Sequence, residues 1–411
     1  MARTILHSDM NPFYASVEMM LDPSLRGKAV AVCGCVEDRH GIVLAKSELA
    51  KKAGVKTGMA NWEAMRACPN LVVVPPQYDE YLKYSRLAHD IYYRYTDLVE
   101  PYGMDECWLD VTESGIYGNG MEIAEAIRKS VKEELGLTVS IGVSFNKIFA
   151  KLGSDMKKPD AITAITEDNF RQKVWPLAAS ELLYVGRAAT RALHKYGINT
   201  IGELAATDPE LLCRWFGVNG RQLWAYAAGK DQSRVMHKDF VSPVKSIGHG
   251  ITCTADLDND EEVFRVMLEL SQDVGHRLRI HELAACGVQI TIRDNNLEFS
   301  QFQCKLPVKT QLPGEIARAG FQLYLARWHR ASKVREVTVR GIDLVSAKEP
   351  DQLSLFIDNV KRDKQNRMEL AVEEIRRRFG KKAITCACLL DGLKMPGDGR
   401  EKVRMPGMMY Q

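Results

Sequence analysis

Short apolar runs that end on an acidic or turn residue alternate along this chain with stretches in which apolar residues recur every three or four positions. That alternation predicts an α/β protein of several domains. Residues 3–8 (RTILHS) read as a strand closing at Asp9, after which Asn11-Pro12 opens a helix carrying Phe13, Ala15, Val17 and Met20 that stops near Asp22-Pro23. Ala29–Cys33 is a second strand, and a second helix is expected over Lys46–Ala53, ending at Gly54. Pro75-Pro76 precedes a Tyr-rich helix from Tyr78 to the neighbourhood of Asp97. Val99–Met104 and Cys107–Val111 flank Asp105-Glu106 as a hairpin, and a helix over Gly120–Leu135 leads through Gly136 into a strand over Leu137–Val143. Strands and a hairpin interleaved with helices imply an antiparallel or mixed sheet.

From Trp175 to Gly229 the pattern is one of short helices punctuated by glycine, and residues 239–245 (DFVSPVK) form the best domain boundary. Beyond it the order is strand Ser246–Thr252, helix Glu261–His281, strands Cys286–Asp294 and Glu298–Leu306, helix Pro313–Trp328 and strand Val334–Leu344, a split βαββαβ unit. In its strands Val288, Ile290 and Ile292 alternate with Gln289, Thr291 and Arg293, while Val337 and Val339 alternate with Glu336, Thr338 and Arg340. One sheet face therefore packs on helices and the other offers polar groups to a partner.

Composition narrows the class only slightly. The 411 residues are 27% charged and 45% hydrophobic, near the globular average, which argues against a disordered, fibrous or membrane-embedded chain. A formal net charge of +3 does not announce a nucleic-acid binder, so any basic surface must be local. The ten cysteines are scattered; Cys33-Gly34-Cys35 and Cys386-Ala387-Cys388 lack zinc-site partners, and no zinc site is expected. The N-terminal apolar run is cut by His7, Ser8 and Asp9, so neither a signal peptide nor a membrane span is expected.

Two acidic positions fall where strands end: Asp9, and Asp105-Glu106 in the hairpin turn. Carboxylates from adjacent strand ends, with the Met10 carbonyl as a further oxygen, suit a pair of Mg²⁺ ions. Such a pair, ~3.5–4 Å apart, stabilises attacking and leaving oxygens in a phosphoryl displacement. Taken alone, each acidic residue reads more simply as a cap or turn residue.

The neighbouring residues change that balance. Residues 9–18 (DMNPFYASVE), 103–111 (GMDECWLDV) and 142–159 (GVSFNKIFAKLGSDMKKP), in this order and spacing, resemble the Y-family (translesion) DNA polymerases, the group of DNA polymerase IV and the UmuC-like enzymes. The likeness runs over residues 3–345. It implies an α/β multidomain right hand: a palm from residues 1–10 and 76–165, fingers 11–75, a helical helix-hairpin-helix thumb 166–237, a linker 238–245, a βαββαβ little finger 246–348, and a clamp-binding peptide with a tail over 349–411. The implied activity is template-directed, Mg²⁺-dependent addition of dNTPs to a primer 3′-end past damaged bases, without a proofreading exonuclease. Two Mg²⁺ ions are implied, with Mn²⁺ able to substitute. The partners would be primer–template DNA, dNTP and the replication sliding clamp; a cytoplasmic monomer is expected.

The same resemblance assigns roles. Asp9, Asp105 and Glu106 look like the catalytic, metal-binding carboxylates, with Met10 lending its carbonyl. Tyr14 matches the steric gate whose ring excludes a ribose 2′-OH, and Lys158 matches the lysine that contacts the triphosphate. Backbone amides from Asn11 through Phe13 to Tyr14, at a helix N-terminus, suit triphosphate oxygens. Where polymerase IV members carry Ser/Thr-Tyr-Glu-Ala-Arg, this chain has Lys46-Ser47-Glu48-Leu49-Ala50-Lys51. Lys51 then supplies charge without a bidentate fork, and Lys46 compensates as in UmuC-like sequences. A plain surface helix is the simpler reading of that run.

Val185-Gly186-Arg187 is expected to form a hairpin whose N–H groups grip a phosphate, although Tyr184 replaces the usual glycine. Ser246, Thr291, Arg293, Thr338 and Arg340 would follow the duplex backbone. Residues 241–348 nevertheless hold 14 basic and 13 acidic residues, so that charge would have to sit on one face. Gln352-Leu353-Ser354-Leu355-Phe356 resembles the sliding-clamp peptide, with Leu355 and Phe356 as apolar anchors. A basic helix follows, with nine basic and four acidic residues over 361–382 and Met368, Ala371, Val372, Ile375 and Phe379 on one face; it would lie on DNA or a protein partner, or simply be solvated. The end after Lys394 reads as disordered. Two rivals stand beside the polymerase: a palm-type nucleotidyl cyclase, and an inactive clamp-tethered scaffold.

Overall fold

The computed structural model describes residues 3–39, 41–329, 331–350 and 358–396. In chain order the first part runs β1 (Ile5–Met10), α1 (Phe13–Leu21), β2 (Val30–Cys33), β3 (Val43–Lys46), α2 (Glu48–Lys52), α3 (Asn61–Ala67), β4 (Val72–Val74), α4 (Tyr78–Tyr92), β5 (Val99–Pro101), β6 (Glu106–Asp110), α5 (Gly120–Leu135), β7 (Val139–Ser144), α6 (Lys147–Met156) and β8 (Ile162–Ile165). Five short helices follow, α7 (Phe170–Val174), α8 (Arg187–Lys195), α9 (Ile201–Ala206), α10 (Pro209–Phe216) and α11 (Val218–Ala227). The last part is β9 (Ile247–Leu257), α12 (Asp260–Ile280), β10 (Leu283–Asp294), β11 (Phe299–Thr310), α13 (Pro313–Arg327), β12 (Val334–Ser346) and α14 (Asn359–Phe379). These elements form two compact units, one of residues 3–33 and 43–241, the other of residues 34–42 and 242–396.

In the first unit a mixed five-stranded sheet has the order β5-β6-β1-β7-β8, with only β7–β8 parallel. Central β1 is buried along its whole length, so its polar residues His7, Ser8 and Asp9 must be satisfied by protein. Helix α5 lies against this sheet through Ile123, Ile127 and Val131. It starts at an Asn119–Glu122 capping box and ends at Gly136, whose φ of 67° glycine adopts without penalty. Helix α6 covers β7 at very close range. A Cβ on Gly142 would stand 1.9 Å from the Ala150 carbonyl oxygen, so only glycine admits the helix there. Gly142→Ala is therefore expected to cost at least ~1–3 kcal/mol of unfolding free energy in urea titration; an unchanged midpoint would mean that α6 can lift off the sheet freely.

A small sheet, β3-β2-β4, and the short helices α7–α11 complete the unit, each around its own apolar cluster. The expected helix over 46–53 is instead strand β3 followed by α2. Val43–Lys46 pair with β2, and Ser47, accepting from the Ala50 N–H, caps a helix that begins only at Glu48. Helix α4 stops at Tyr92 rather than near Asp97, and Glu106 belongs to strand β6 rather than to the turn. The leading helix of the expected helix-hairpin-helix is only a single 3₁₀ turn, Ala179–Glu181.

In the second unit β9, β10, β11 and β12 form an antiparallel sheet of order β11-β10-β12-β9, so each βαβ crossover is split by one strand. Helices α12 and α13 cover the face carrying Val288, Ile290, Ile292, Val337 and Val339. Basic helix α14 lies against these helices through ion pairs of Glu373 with Arg279 (2.6 Å) and Arg362 with Glu315 (3.0 Å), and through hydrogen bonds of Glu373 with His276 and of Arg376 to the Gln272 amide oxygen (3.0 Å). Its expected apolar face stays largely exposed, Phe379 by 74% and Met368 by 55%, because polar pairs rather than apolar burial dock the helix. The clamp-like peptide Gln352–Phe356 and the end beyond residue 396 lie outside the described residues. No helix of the described residues is long and apolar enough to cross a membrane.

Candidate active site

The acidic positions picked from the sequence come together at one end of the five-stranded sheet. Asp9 on β1 and Glu106 on β6 are directly opposed cross-strand partners, and the Met10 N–H donates to the Asp105 carbonyl at 2.9 Å. Asp9 is buried, only 4% exposed, and two ammoniums reach the same oxygen of its carboxylate. Lys158 Nζ is 2.7 Å from Oδ2 and Lys151 Nζ is 3.3 Å from it. Lys151 also pairs with Glu106 Oε1 at 3.0 Å and with Asp155 at 3.0 Å. Asp155 in turn holds Lys158 at 3.0 Å.

Burial first, then the neighbouring Asp9 charge, raises the Asp105 carboxyl to about 6. Glu106 is raised to about 7, mainly by burial and further by Asp9, even though Lys151 pulls the other way. Desolvation pulls the Lys151 ammonium down, but Glu106, Asp9 and Asp155 together outweigh it and hold it above its usual range. Two half-buried carboxylates, each raised further by the Asp9 charge, form a site in which four carboxylates share two ammoniums.

Sequence reasoning missed Lys151, Asp155, His7 and Ser154. The Ser154 hydroxyl donates to the Lys151 carbonyl at 2.7 Å, so it accepts from His7 Nδ1 at 2.9 Å. That leaves His7 Nε2 as a lone pair facing Glu106 Oε2 at 3.7 Å, and both atoms are buried without a hydrogen-bond partner among the described residues. Burial, with Lys151 and Lys158 nearby, keeps the imidazole neutral. Helical spacing could have flagged Lys151 and Asp155 as an i, i+4 pair, but the pair acquires meaning only when α6 is laid over β1.

In kind, three carboxylates, one of them with its Glu106 Oε2 unpaired among the described residues, and a strand-end carbonyl fit a hard divalent cation. As they stand, no three His, Cys, Asp or Glu side chains among the described residues group closely enough to hold a metal ion, and the Lys151 ammonium bridges Asp9 and Glu106. The raised carboxylates have a measurable consequence. Ionised Asp105 destabilises the metal-free fold, fully so above its folded value of about 6 and not at all below the ordinary carboxylate range. Asp105→Asn should therefore raise the thermal midpoint in chelator at pH 7.5 by ~2–4 °C, and the gain should shrink towards pH 5. A gain independent of pH would contradict this origin.

Tyr14 stands beside this cluster. Its hydroxyl donates to Met104 Sδ at 2.9 Å, and its ring stacks on Tyr81 with centroids 4.2 Å apart and planes at 8°. Tyr81 is fixed by donating to buried Glu18, which also accepts from Gln77 at 2.7 Å. Burial, followed by the Asp105 charge, pushes the Tyr14 phenol well above its usual range, and the bond to Met104 sets the ring next to the residue that precedes Asp105. Phe13 is a core residue whose side chain cannot reach a ligand. Asn11 needs correction as a nucleotide ligand: its N–H donates to the Thr138 carbonyl, and its amide side chain bonds Thr138 and Ser140, so it is spent on tying β1 to β7.

In the small sheet Lys46 donates to Thr57 at 3.0 Å, while Lys51 is exposed and 3.8 Å from Glu48. Burial and then Lys51 pull the Lys46 ammonium below its usual value, so the two cations sense each other. At the hairpin before α8, the Val185 N–H is spent on the Leu182 carbonyl and its side chain is core, so Val185 is corrected to a structural role. Gly186 and Arg187 are exposed at the helix start, and Tyr184 takes the glycine position at a φ of 71°.

On the open face of the second sheet, Thr291 pairs with Thr338 and Gln289 with Arg340, and Ser246 precedes β9. Arg293 is partly neutralised by Glu336 at 3.6 Å and bonds the Leu297 carbonyl. This face is polar rather than strongly basic.

The family described as impB/mucB/samB matches residues 8–155, and that family's C-terminal domain matches residues 244–355. A DNA polymerase IV of Acetivibrio thermocellus is 48% identical over 391 residues, covering 95% of this chain and 98% of its own length. DNA polymerase IV 1 of Bacillus subtilis is 37% identical over 389 residues, with 93% and 92% covered. Among solved structures, a Y-family DNA polymerase chimera aligns with a TM-score of 0.74 at 23% identity, over 84% of this chain and 99% of the chimera.

Proposed function

Since this chain belongs to the Y-family DNA polymerases, on the branch of the enzymes named DNA polymerase IV, we propose that it is a translesion polymerase that extends a primer 3′-end opposite damaged template bases. The observation that carries the site assignment is the opposition of Asp9 and Glu106 across β1 and β6, with Asp105 tied to Met10 and the Tyr14 ring alongside. Divalent cations bound there, Mg²⁺ with Mn²⁺ as a substitute, would supply the electrostatic stabilisation of phosphoryl transfer. Asp9, Asp105, Glu106 and the Met10 carbonyl would hold them.

The remaining residues would do the binding. The free amides of Phe13 and Tyr14 at the start of α1 would take triphosphate oxygens, and Lys158, the more exposed of the two ammoniums on Asp9, would turn to the triphosphate. Lys46 and Lys51 would add charge from β3 and α2. Gly186 and Arg187 would hold duplex phosphates, as would Thr291, Thr338 and Arg340 on the open sheet face. In this reading residues 1–10 and 76–165 serve as the palm and 11–75 as the fingers, with thumb and little finger to either side of the linker. The chain would work as a cytoplasmic monomer, tethered to the sliding clamp by Gln352–Phe356 and lacking a proofreading exonuclease.

The test is primer extension with Mg²⁺ on undamaged and abasic templates, with and without the clamp. The native chain should extend both templates and leave a mismatched 3′-end unexcised. Deleting Gln352–Phe356 should abolish clamp stimulation and leave extension on a bare primer intact. Failure of the native chain to extend any template would end the proposal and leave the cyclase and scaffold readings to be assayed.

A further inference from the structure

Asp155 belongs to none of the groups that the reaction itself uses, yet it is bonded to two that border it. It lies in the last turn of α6, its side chain 44% exposed, and splits its two oxygens between two ammoniums. Oδ2 is 3.0 Å from Lys151 and Oδ1 is 3.0 Å from Lys158. Both ammoniums also reach Asp9 Oδ2, at 3.3 and 2.7 Å, so Asp9 and Asp155 share the same two cations. Lys151 is anchored a third time on Glu106 and is only 11% exposed, whereas Lys158 is 27% exposed and, among the described residues, has just these two carboxylates. The Asp155 carboxyl is itself held below its usual range: burial opposes ionisation, but the two lysines outweigh it.

The consequence follows from counting partners. A dication on Asp9 repels both ammoniums from that carboxylate. Lys151 also keeps Asp155 and is confined by its position in the middle of α6, its side chain only 11% exposed. Lys158, which follows α6 on a long flexible stem, retains only Asp155. We propose that Asp155 is a positioning residue that keeps the Lys158 ammonium at the rim of the active site once Asp9 is engaged, so that it meets the incoming triphosphate already oriented. This rests on Lys158 being the triphosphate lysine, as read above. Preorganisation of a flexible cation lowers the entropy lost on binding, so the benefit appears in nucleotide affinity rather than in the chemical step.

The sign of the effect separates this role from a simple charge effect. Removing a negative charge near a triphosphate site strengthens anion binding through space. Loss of positioning weakens it. Asp155→Asn is therefore expected to raise the dNTP KM about three- to fivefold, the scale of one partly exposed ion pair, with a smaller change in kcat. The Kd of a non-hydrolysable dNTP on the primer–template complex, read by fluorescence, should rise equally. Asp155→Glu should recover part of the loss. In a Lys158→Ala background Asp155→Asn should add nothing, because there is no ammonium left to place. A KM that falls or stays constant in Asp155→Asn, or a rise that persists undiminished beside Lys158→Ala, would overturn the proposal while leaving Lys158 its role. If Lys158→Ala alone leaves KM unchanged, the assignment of Lys158 fails and the role of Asp155 fails with it. Thermal midpoints guard against misfolding, and if Asp155→Asn is unfolded, Asp155→Ser carries the same comparison in both backgrounds.

Discussion

Replacing Asp105 and Glu106 together by alanine is expected to lower templated primer extension by about 10³-fold or more, while the protein stays folded and still binds primer–template DNA. The expected loss is large because both carboxylates stand at one strand end with Asp9, in surroundings dry enough to raise Asp105 to about 6 and Glu106 to about 7. Charge placed on such groups by a bound cation is poorly screened, so each lost carboxylate removes several kcal/mol of transition-state stabilisation, an order-of-magnitude figure. Stability should move the opposite way. The double variant no longer carries two half-buried carboxylates raised by the Asp9 charge, although Lys151 keeps Asp9 and Asp155 as partners. Its thermal midpoint in chelator should therefore match or exceed that of the native chain. Two measurements decide the matter: extension at saturating primer–template, and DNA binding by gel shift. Appreciable extension by the double variant would remove these residues from the active site. Lost DNA binding with a lowered midpoint would mean that the alanines act through the fold.

Periodicity marked the strand ends where Asp9 and Asp105-Glu106 fall, but by themselves they read as caps or turns, and it was the resemblance carried by their neighbours that singled them out. Helix α5 was legible to its limits because Asn119, Glu122 and Gly136 are local stop and start signals that need no tertiary partner. Lys46 was misplaced for the converse reason: Val43–Lys46 is too short to show a period, and only pairing with β2 makes it a strand. Lys151 was passed over because a lysine within an amphipathic helix ordinarily points to water. Gly142 leaves room for α6 to close onto the sheet, where that lysine meets Asp9 and Glu106. Asn11 shows the limit of reading a helix start as a ligand site, since its N–H and its side chain are spent on β7.

The same inward lysines refine the meaning of the +3 net charge. Part of the basic total neutralises buried acids, Arg293 is paired with Glu336, Arg362 of α14 is spent on Glu315, and Arg279 of α12 on Glu373. Few cations remain for phosphates on the second sheet, so affinity for DNA through counterion release should be modest. A tether that raises the effective concentration at the primer end would then contribute more than added surface charge.

Tyr14→Ala is expected to admit ribonucleotides, raising the ratio of rNTP to dNTP incorporation by about 10–200-fold, the range for one added group against a packed wall. The argument depends on the rigidity of the ring. A mobile side chain would yield to a 2′-hydroxyl at little cost, but Tyr14 is stacked on Tyr81, whose hydroxyl is held by buried Glu18, and its own hydroxyl is bonded to Met104. Displacing the ring would break the stack and force Tyr81 off its carboxylate. Exclusion here is a matter of shape, so Tyr14→Phe should keep nearly all of the selectivity and lose only the bond to Met104. The check is single-nucleotide incorporation of matched rNTP and dNTP pairs by the native, Phe and Ala enzymes, with kcat/KM taken for each. Unchanged sugar selectivity in Tyr14→Ala would mean that another side chain meets the sugar. A loss in Tyr14→Phe as large as in Tyr14→Ala would assign the discrimination to the hydroxyl instead of the ring.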